Sequence, residues 1–314
     1  MARSVEADVV LACGEHLPAV DVWMVIDVLR ATTVIVRWSE LGGGDLYPVE
    51  SVGAARRLAR ELAAGKTPPL LMGEENAIPP QGFDLGNSPL DLTREIVQAR
   101  GRAVMATSNG TAALLAAAAT GTPVVAACIR NASAALDHAL SIGPRVGLLC
   151  SGRKRRPAWD DTLCAGIILD DLRTRHPDVV LADSARLALL AWRSSPDILP
   201  SMETADHAVF LDKIGYGPDV AFACERDATT VVPVLHEEPE GDGMRAVLRA
   251  VRLPARPRTA PRPSPEPPEP PISLLRHTGG SVPIDAPRQY FFLDGARRRV
   301  GKRLDLDLKG DDGR

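Results

Sequence analysis

Short apolar runs of strand character alternate with helical patterns through most of this chain, and a polar turn follows nearly every run. Strands are predicted at 22–26, 70–72, 103–106, 124–128, 146–150, 179–182 and 230–235. Helices are predicted between them at 52–64, 90–98, 111–119, 133–140, 160–172 and 207–214. Strand and helix in alternation specify an α/β fold, with a mixed or largely parallel sheet and flanking helices. In open sheets of this class ligands bind outside the carboxyl ends of the strands, so the turns there are where chemistry is expected.

The alternation stops near residue 238. Residues 254–271 hold nine of the 27 prolines, which removes backbone donors and favours extended conformations. The chain therefore divides into an α/β region over 1–238, a proline-rich linker over 239–271 and an extension over 272–314. The extension has one apolar patch, Tyr290-Phe291-Phe292-Leu293, which reads either as a docking strand or, more simply, as part of a mostly mobile tail.

Charge is nearly balanced, 37 Lys+Arg against 40 Asp+Glu, which excludes a wholesale footprint for nucleic acid or an anionic membrane surface. No apolar run reaches 18 residues, and the first residues carry acids where a signal peptide needs an apolar core. A cytoplasmic location is expected. Five scattered cysteines without a Cys-x-x-Cys pair argue against a disulfide scaffold or zinc site. A symmetric homodimer is the prior for an enzyme of this class.

The turns are rich in hydroxyls, amides and charges. Asp27, Arg30, Thr32 and Thr33 follow the first predicted strand. Gly73-Glu74-Glu75-Asn76 follows the second, leading to Gly82-Phe83-Asp84-Leu85-Gly86-Asn87-Ser88-Pro89. Thr107-Ser108-Asn109-Gly110-Thr111 opens an Ala-rich helix, and Arg130-Asn131-Ala132-Ser133 repeats that arrangement one strand later. Exposed amides at such helix starts can cradle an anion, the alternative being an ordinary cap made by Ser108 or Asn109. Ser151-Gly152, the basic run Arg153-Lys154-Arg155-Arg156 and Asp160-Asp161 complete the set. The basic run otherwise reads as a solvated loop.

A carboxylate at Asp27 can hold Mg²⁺ while leaving coordination positions for phosphate and water; its alternative is a structural ion pair with Arg30. Glu74, Asp84, Asp160 and Asp161 are further oxygen candidates, with Asp160 the natural helix cap. The chain has no phosphate-binding G-x-x-x-x-G-K-[ST] loop, no dinucleotide fingerprint after its first strand and no Gly-x-Ser-x-Gly. None of its six histidines falls in the polar turns. Anion cradles beside hard-metal carboxylates are the equipment of phosphoryl transfer.

Val25-Ile26-Asp27-Val28-Leu29-Arg30-Ala31-Thr32-Thr33, the 82–89 segment and Thr107-Ser108-Asn109-Gly110-Thr111, in this order, resemble the 2-phosphosulfolactate phosphatase (ComB) family. Asn131-Ala132-Ser133, Asp161-Thr162-Leu163-Cys164-Ala165-Gly166 and Val231-Val232-Pro233-Val234 continue the resemblance, which covers roughly residues 10 to 238. It implies Mg²⁺-dependent hydrolysis of 2-phospho-3-sulfolactate to 3-sulfolactate and phosphate, a step associated with coenzyme M biosynthesis, on a ComB-like α/β fold. It implies catalytic roles for Asp27, Arg30 and Asp161, and metal ligation by Asp27 with Asp161 or Glu74. Substrate contacts are expected at Thr32, Thr33, Asn87, Ser88, Thr107, Asn109, Gly110, Thr111, Arg130, Asn131, Ser133 and Ser151. Glu75 departs from the pattern, standing where an arginine is common; this keeps open a phosphatase for another small phosphorylated hydroxy acid. A non-catalytic anion sensor is the reading from outside enzymes.

Overall fold

The computed structural model describes residues 4–254 apart from 65, 196 and 242. The extension, its Tyr290–Leu293 patch and most of the proline-rich linker lie outside the described residues.

The centre of the fold is β2 (Val22–Ile26), wholly buried and without alternation, as expected of a strand covered on both faces. It runs parallel to β6 (Val124–Ala127) on one side and β7 (Arg145–Cys150) on the other. Beyond β7 lie β1 (Glu6–Val10) and the two-residue β8 (Val180–Leu181), both parallel. A second parallel block holds β3 (Leu46–Val49), β4 (Leu70–Gly73) and β5 (Ala103–Ala106). The blocks are joined by an antiparallel hairpin, β9 (Val231–Glu240) and β10 (Gly243–Arg252), giving the order β4-β5-β3-β10-β9-β6-β2-β7-β1-β8. The sheet is therefore mostly parallel and flanked by helices, as the alternation predicted.

Two helices are apolar nearly all round. Helix α1 (Ala31–Glu40) buries Ala31, Thr32, Thr33, Val34, Ile35, Val36 and Trp38. Of these, Ala31, Val34, Ile35 and Trp38 share one cluster with side chains from both blocks, as do Ala113, Leu114 and Ala117 of α4 (Gly110–Ala118). The β-branched run of α1 disfavours helix by a few tenths of a kcal/mol per residue. Burying each large side chain returns about 1.5–3 kcal/mol, so packing decides. On the opposite face of the β2 block lie α5 (Ala132–Ile142), α6 (Trp159–Arg175) and α7 (Asp183–Arg193). There too lie α8 (Ile198–Glu203), α9 (Asp206–Lys213) and α10 (Gly217–Ala223). Helix α2 (Val52–Ala63) covers the far face of β3 and β5, and α3 (Arg94–Arg100) precedes β5. Among the described residues no helix is long and apolar enough to cross a membrane.

The linker expected from residue 239 is displaced. Strand β10 occupies 243–252 and pairs with β9 from Glu240–Gly243 to Val231–Arg252. Gly241, at φ +54°, turns the chain between them. Strand β3 carries Pro48, which cannot donate; its registered contact with β10 is the single pair Leu46–Leu248, so no donor is lost at Pro48 on that side.

Candidate active site

The turns after β2, β4, β5 and β7 meet the first turn of α6 in one cluster of carboxylates. Asp27 leaves β2 almost fully buried, as do Asp160 and Asp161 on α6. Burial, then the Asp161 charge, pushes Asp27 up to about 7. Burial, then the Asp27 charge, raises Asp160, and burial, then the Asp160 charge, raises Asp161. Asp161 ties the pieces together: Oδ1 accepts from the Val28 N–H at 2.9 Å, and Oδ2 from the Gly152 N–H and Ser151 Oγ, each at 3.0 Å. The Ser151 hydroxyl also lowers Asp27.

Helix α4 starts directly against Asp27. A Cβ on Gly110 would lie 2.4 Å from the Ala31 Cβ and 2.7 Å from Asp27 Oδ2, so only glycine fits there. The cap is neither of the residues proposed for it. Thr107 Oγ1 accepts the Thr111 N–H at 3.1 Å, while the Thr111 hydroxyl accepts the Thr107 N–H and donates to the Thr107 carbonyl. Asn109 makes no capping bond. Glu74 orders the turn from outside, accepting the Ser108 N–H at 2.7 Å and the Ala77 N–H at 2.6 Å. Among the described residues no protein acceptor takes the Asn109 or Gly110 N–H. Two amides with the positive end of a helix thus face the carboxylates.

Arg30 pairs with Asp219 of α10 rather than with Asp27, Nη1 to Oδ2 at 3.2 Å with both side chains buried. Its Nη2 donates to the Ala77 carbonyl, and the guanidinium lies 4.5 Å over the Tyr216 ring. Ser88 donates to the other Asp219 oxygen at 2.7 Å. Asn87 beside it is buried, and among the described residues nothing donates to its Oδ1.

Several nominated side chains are engaged in holding the fold. Thr32 Oγ1 donates to the Asp27 carbonyl and accepts its N–H, and Thr33 Oγ1 donates to the Val28 carbonyl. Arg130 is buried between Glu40, Glu225 and the Phe222 ring. Asn131 pins β6 to β9 through the Ala126 and Val231 carbonyls and the Cys128 N–H. The α5 start does bind a carboxylate, but the chain supplies it: Ser133 donates through N and Oγ to Asp227, each at 2.8 Å. Asp84 pairs with Arg100 outside the cluster.

Asp219, Tyr216 and His207 escaped the sequence reading. Gly217-Pro218-Asp219 reads as a helix start whose acid is a solvated cap; its contact with Arg30 spans 189 residues. His207 Nδ1 stands 3.9 Å from Asp160 Oδ2, and burial, then Arg153, lowers it to about 4. Asp160, expected to be the cap of its helix, is instead buried beside Asp161, and the α6 start has no side-chain cap. Two open surface clefts, one around Asp21, Pro123 and Pro144 and one beside Arg56, Pro68 and Arg100, lie away from these carboxylates.

Comparison with known proteins supports the same reading. A family model described as 2-phosphosulpholactate phosphatase matches residues 12–238. A protein of Deinococcus radiodurans named "Probable 2-phosphosulfolactate phosphatase" is 37% identical over 223 residues, 70% of this chain and 89% of that protein. A Thermus thermophilus protein of the same name is 37% identical over 224 residues, 71% of this chain and 91% of its own. One from Clostridium novyi is 32% identical over 213 residues, covering 68% and 88%.

Proposed function

Since the chain belongs to the 2-phosphosulpholactate phosphatase family, we propose that it hydrolyses 2-phospho-3-sulfolactate to 3-sulfolactate and phosphate at the Asp27–Asp160–Asp161 cluster. The observation that carries this is the α4 start: two unpartnered amides at a helix N-terminus, set against buried carboxylates whose pKa values are raised. A pure anion receptor gains nothing from carboxylates there, since they repel its ligand; a phosphatase needs them.

The cluster suits Mg²⁺. Buried carboxylates that raise one another's pKa are stabilised by a divalent cation. Among the described residues no three acidic, His or Cys side chains gather as a metal-binding group. Mg²⁺ is commonly bound by one or two carboxylates and keeps several waters. Asp27 and Asp161 would hold it, with Glu74 engaged in ordering the Ser108 turn. When bound, the ion neutralises the phosphoryl oxygens and orients water.

The chain's own groups divide the remaining work. The Asn109 and Gly110 amides take phosphoryl oxygens. Water attacks phosphorus as the bond to the C2 oxygen breaks, and that oxygen takes a proton from solvent water as it leaves. Asp160, raised by burial and by Asp27, takes the proton of the attacking water in this reading. Glu75, the departure from the family pattern, is exposed in a tight turn closed by its backbone bonds to Ile78, so its charge is solvated.

Phosphate release from 2-phospho-3-sulfolactate, phospholactate and phosphoglycolate, with Mg²⁺ and with EDTA, tests the proposal. Mg²⁺-dependent release that prefers the sulfonate is expected. Release from the other two substrates alone reassigns the substrate, and silence throughout rejects the reaction.

A further inference from the structure

Of the arginines in the turns after the strands, Arg30 and Arg130 are neutralised by Asp219 and by Glu40 with Glu225. Arg153 is not. Among the described residues the half-buried Arg153 makes no ion pair and no side-chain hydrogen bond, and its guanidinium lies 5.1 Å from the Phe210 ring. The charge is close enough to offset part of the rise in Asp160 and to help lower His207.

Its position is built with care. Gly152 and Ser151, which precede it, are held by Asp161 Oδ2. Gly152 adopts φ +65°, and a Cβ there would lie 2.4 Å from the Arg156 carbonyl oxygen. Arg153 and Arg156 then exchange backbone bonds at 2.9 and 3.1 Å around Lys154 and Arg155, at φ +53° and +60°. Two consecutive non-glycine residues in the left-handed region cost free energy, and such strain collects at functional sites. A solvated loop needs neither the strain nor the glycine. The result is a tight turn that fixes a cation at the rim of the carboxylate cluster.

We propose that Arg153 binds the sulfonate of the substrate, and so selects sulfonated over simple phosphorylated hydroxy acids. This rests on the reaction proposed above. With the phosphoryl group at the α4 start, the far end of the three-carbon skeleton requires a cation, and Arg153 is the unneutralised guanidinium at the cluster. Its planar fork suits an oxyanion that stays charged at every working pH.

The test compares Arg153→Ala, Arg153→Lys and Arg156→Ala with wild type on 2-phospho-3-sulfolactate and on phospholactate, with thermal melting as the fold control. Loss of a charge-assisted bond should raise KM for the sulfonated substrate roughly ten- to hundredfold in Arg153→Ala with kcat nearly kept. The phospholactate constants should stay within about twofold, Arg153→Lys should recover part of the loss, and Arg156→Ala should resemble wild type. An equal loss on both substrates, or no loss on either, overturns the assignment while leaving the reaction standing. A wild-type protein inactive on both substrates overturns the reaction itself, and the sulfonate site with it.

Discussion

The Arg30–Asp219 pair gives the sharpest quantitative expectation. Both side chains are about 2% exposed, their atoms are 3.2 Å apart, and the second Asp219 oxygen accepts from Ser88. Asp219→Ala strands a buried guanidinium and a buried hydroxyl together. Breaking a buried pair from one side costs about 3–5 kcal/mol. For a region of this size each kcal/mol lowers the melting temperature by about 2–4 °C, so a fall of about 10 °C is expected. Replacing both partners with apolar residues, Arg30→Met with Asp219→Leu, removes the stranded charge and should restore most of the loss. Urea unfolding of the two single variants and the double variant gives the coupling energy directly. A cost under about 1 kcal/mol for Asp219→Ala, or single-variant costs that simply add, would refute the reasoning.

Three further outcomes follow. Asp27 is raised from its ordinary 3.8 to about 7, so between those values the folded chain holds a proton that the unfolded chain has lost. Metal-free stability should therefore fall as pH rises from 4 to 7, by on the order of 4 kcal/mol from this group, and melting curves should show Mg²⁺ stabilising far more at pH 8 than at pH 5. Gly110→Ala places a methyl against Asp27 Oδ2 and the Ala31 Cβ; it should cost about 1–3 kcal/mol and abolish phosphate release. Arg130→Ala leaves Glu40 with Arg37 as its remaining cation and should destabilise by about 1.5–3 kcal/mol, with an unchanged KM; a KM rise in a well-folded variant would restore Arg130 as a substrate clamp.

The legible parts of the fold were those where burial and local preference agree. Strand β2, covered on both faces, reads as Val-Trp-Met-Val-Ile with no competing pattern. Helix α1 did not, because Thr32-Thr33-Val34-Ile35-Val36 has strand-like chemistry and is helical only through the core on every side of it. Strand β10 was hidden by its proximity to the prolines, although Gly241-Asp242-Gly243 is a hairpin signal. In the site, Asp27 and the α4 start were visible as polar residues after strands. Whether a hydroxyl or guanidinium there is available was not, because that depends on distant partners. Arg130 meets Glu225 95 residues away, and the α5 start meets Asp227 94 residues away. Arg153 was visible only as one member of a basic run, with no local sign that it would be left unpaired.

The central claim is that Asp27, faced by the α4 start, is where phosphate is released. The most direct measurement is phosphate release from 2-phospho-3-sulfolactate by wild type and Asp27→Asn, side by side with Mg²⁺. A loss of roughly 10²- to 10³-fold in kcat, in a variant that melts at or above the wild-type temperature once its buried charge is gone, is the predicted result. Asp27→Asn turning over at close to the wild-type rate would contradict the claim.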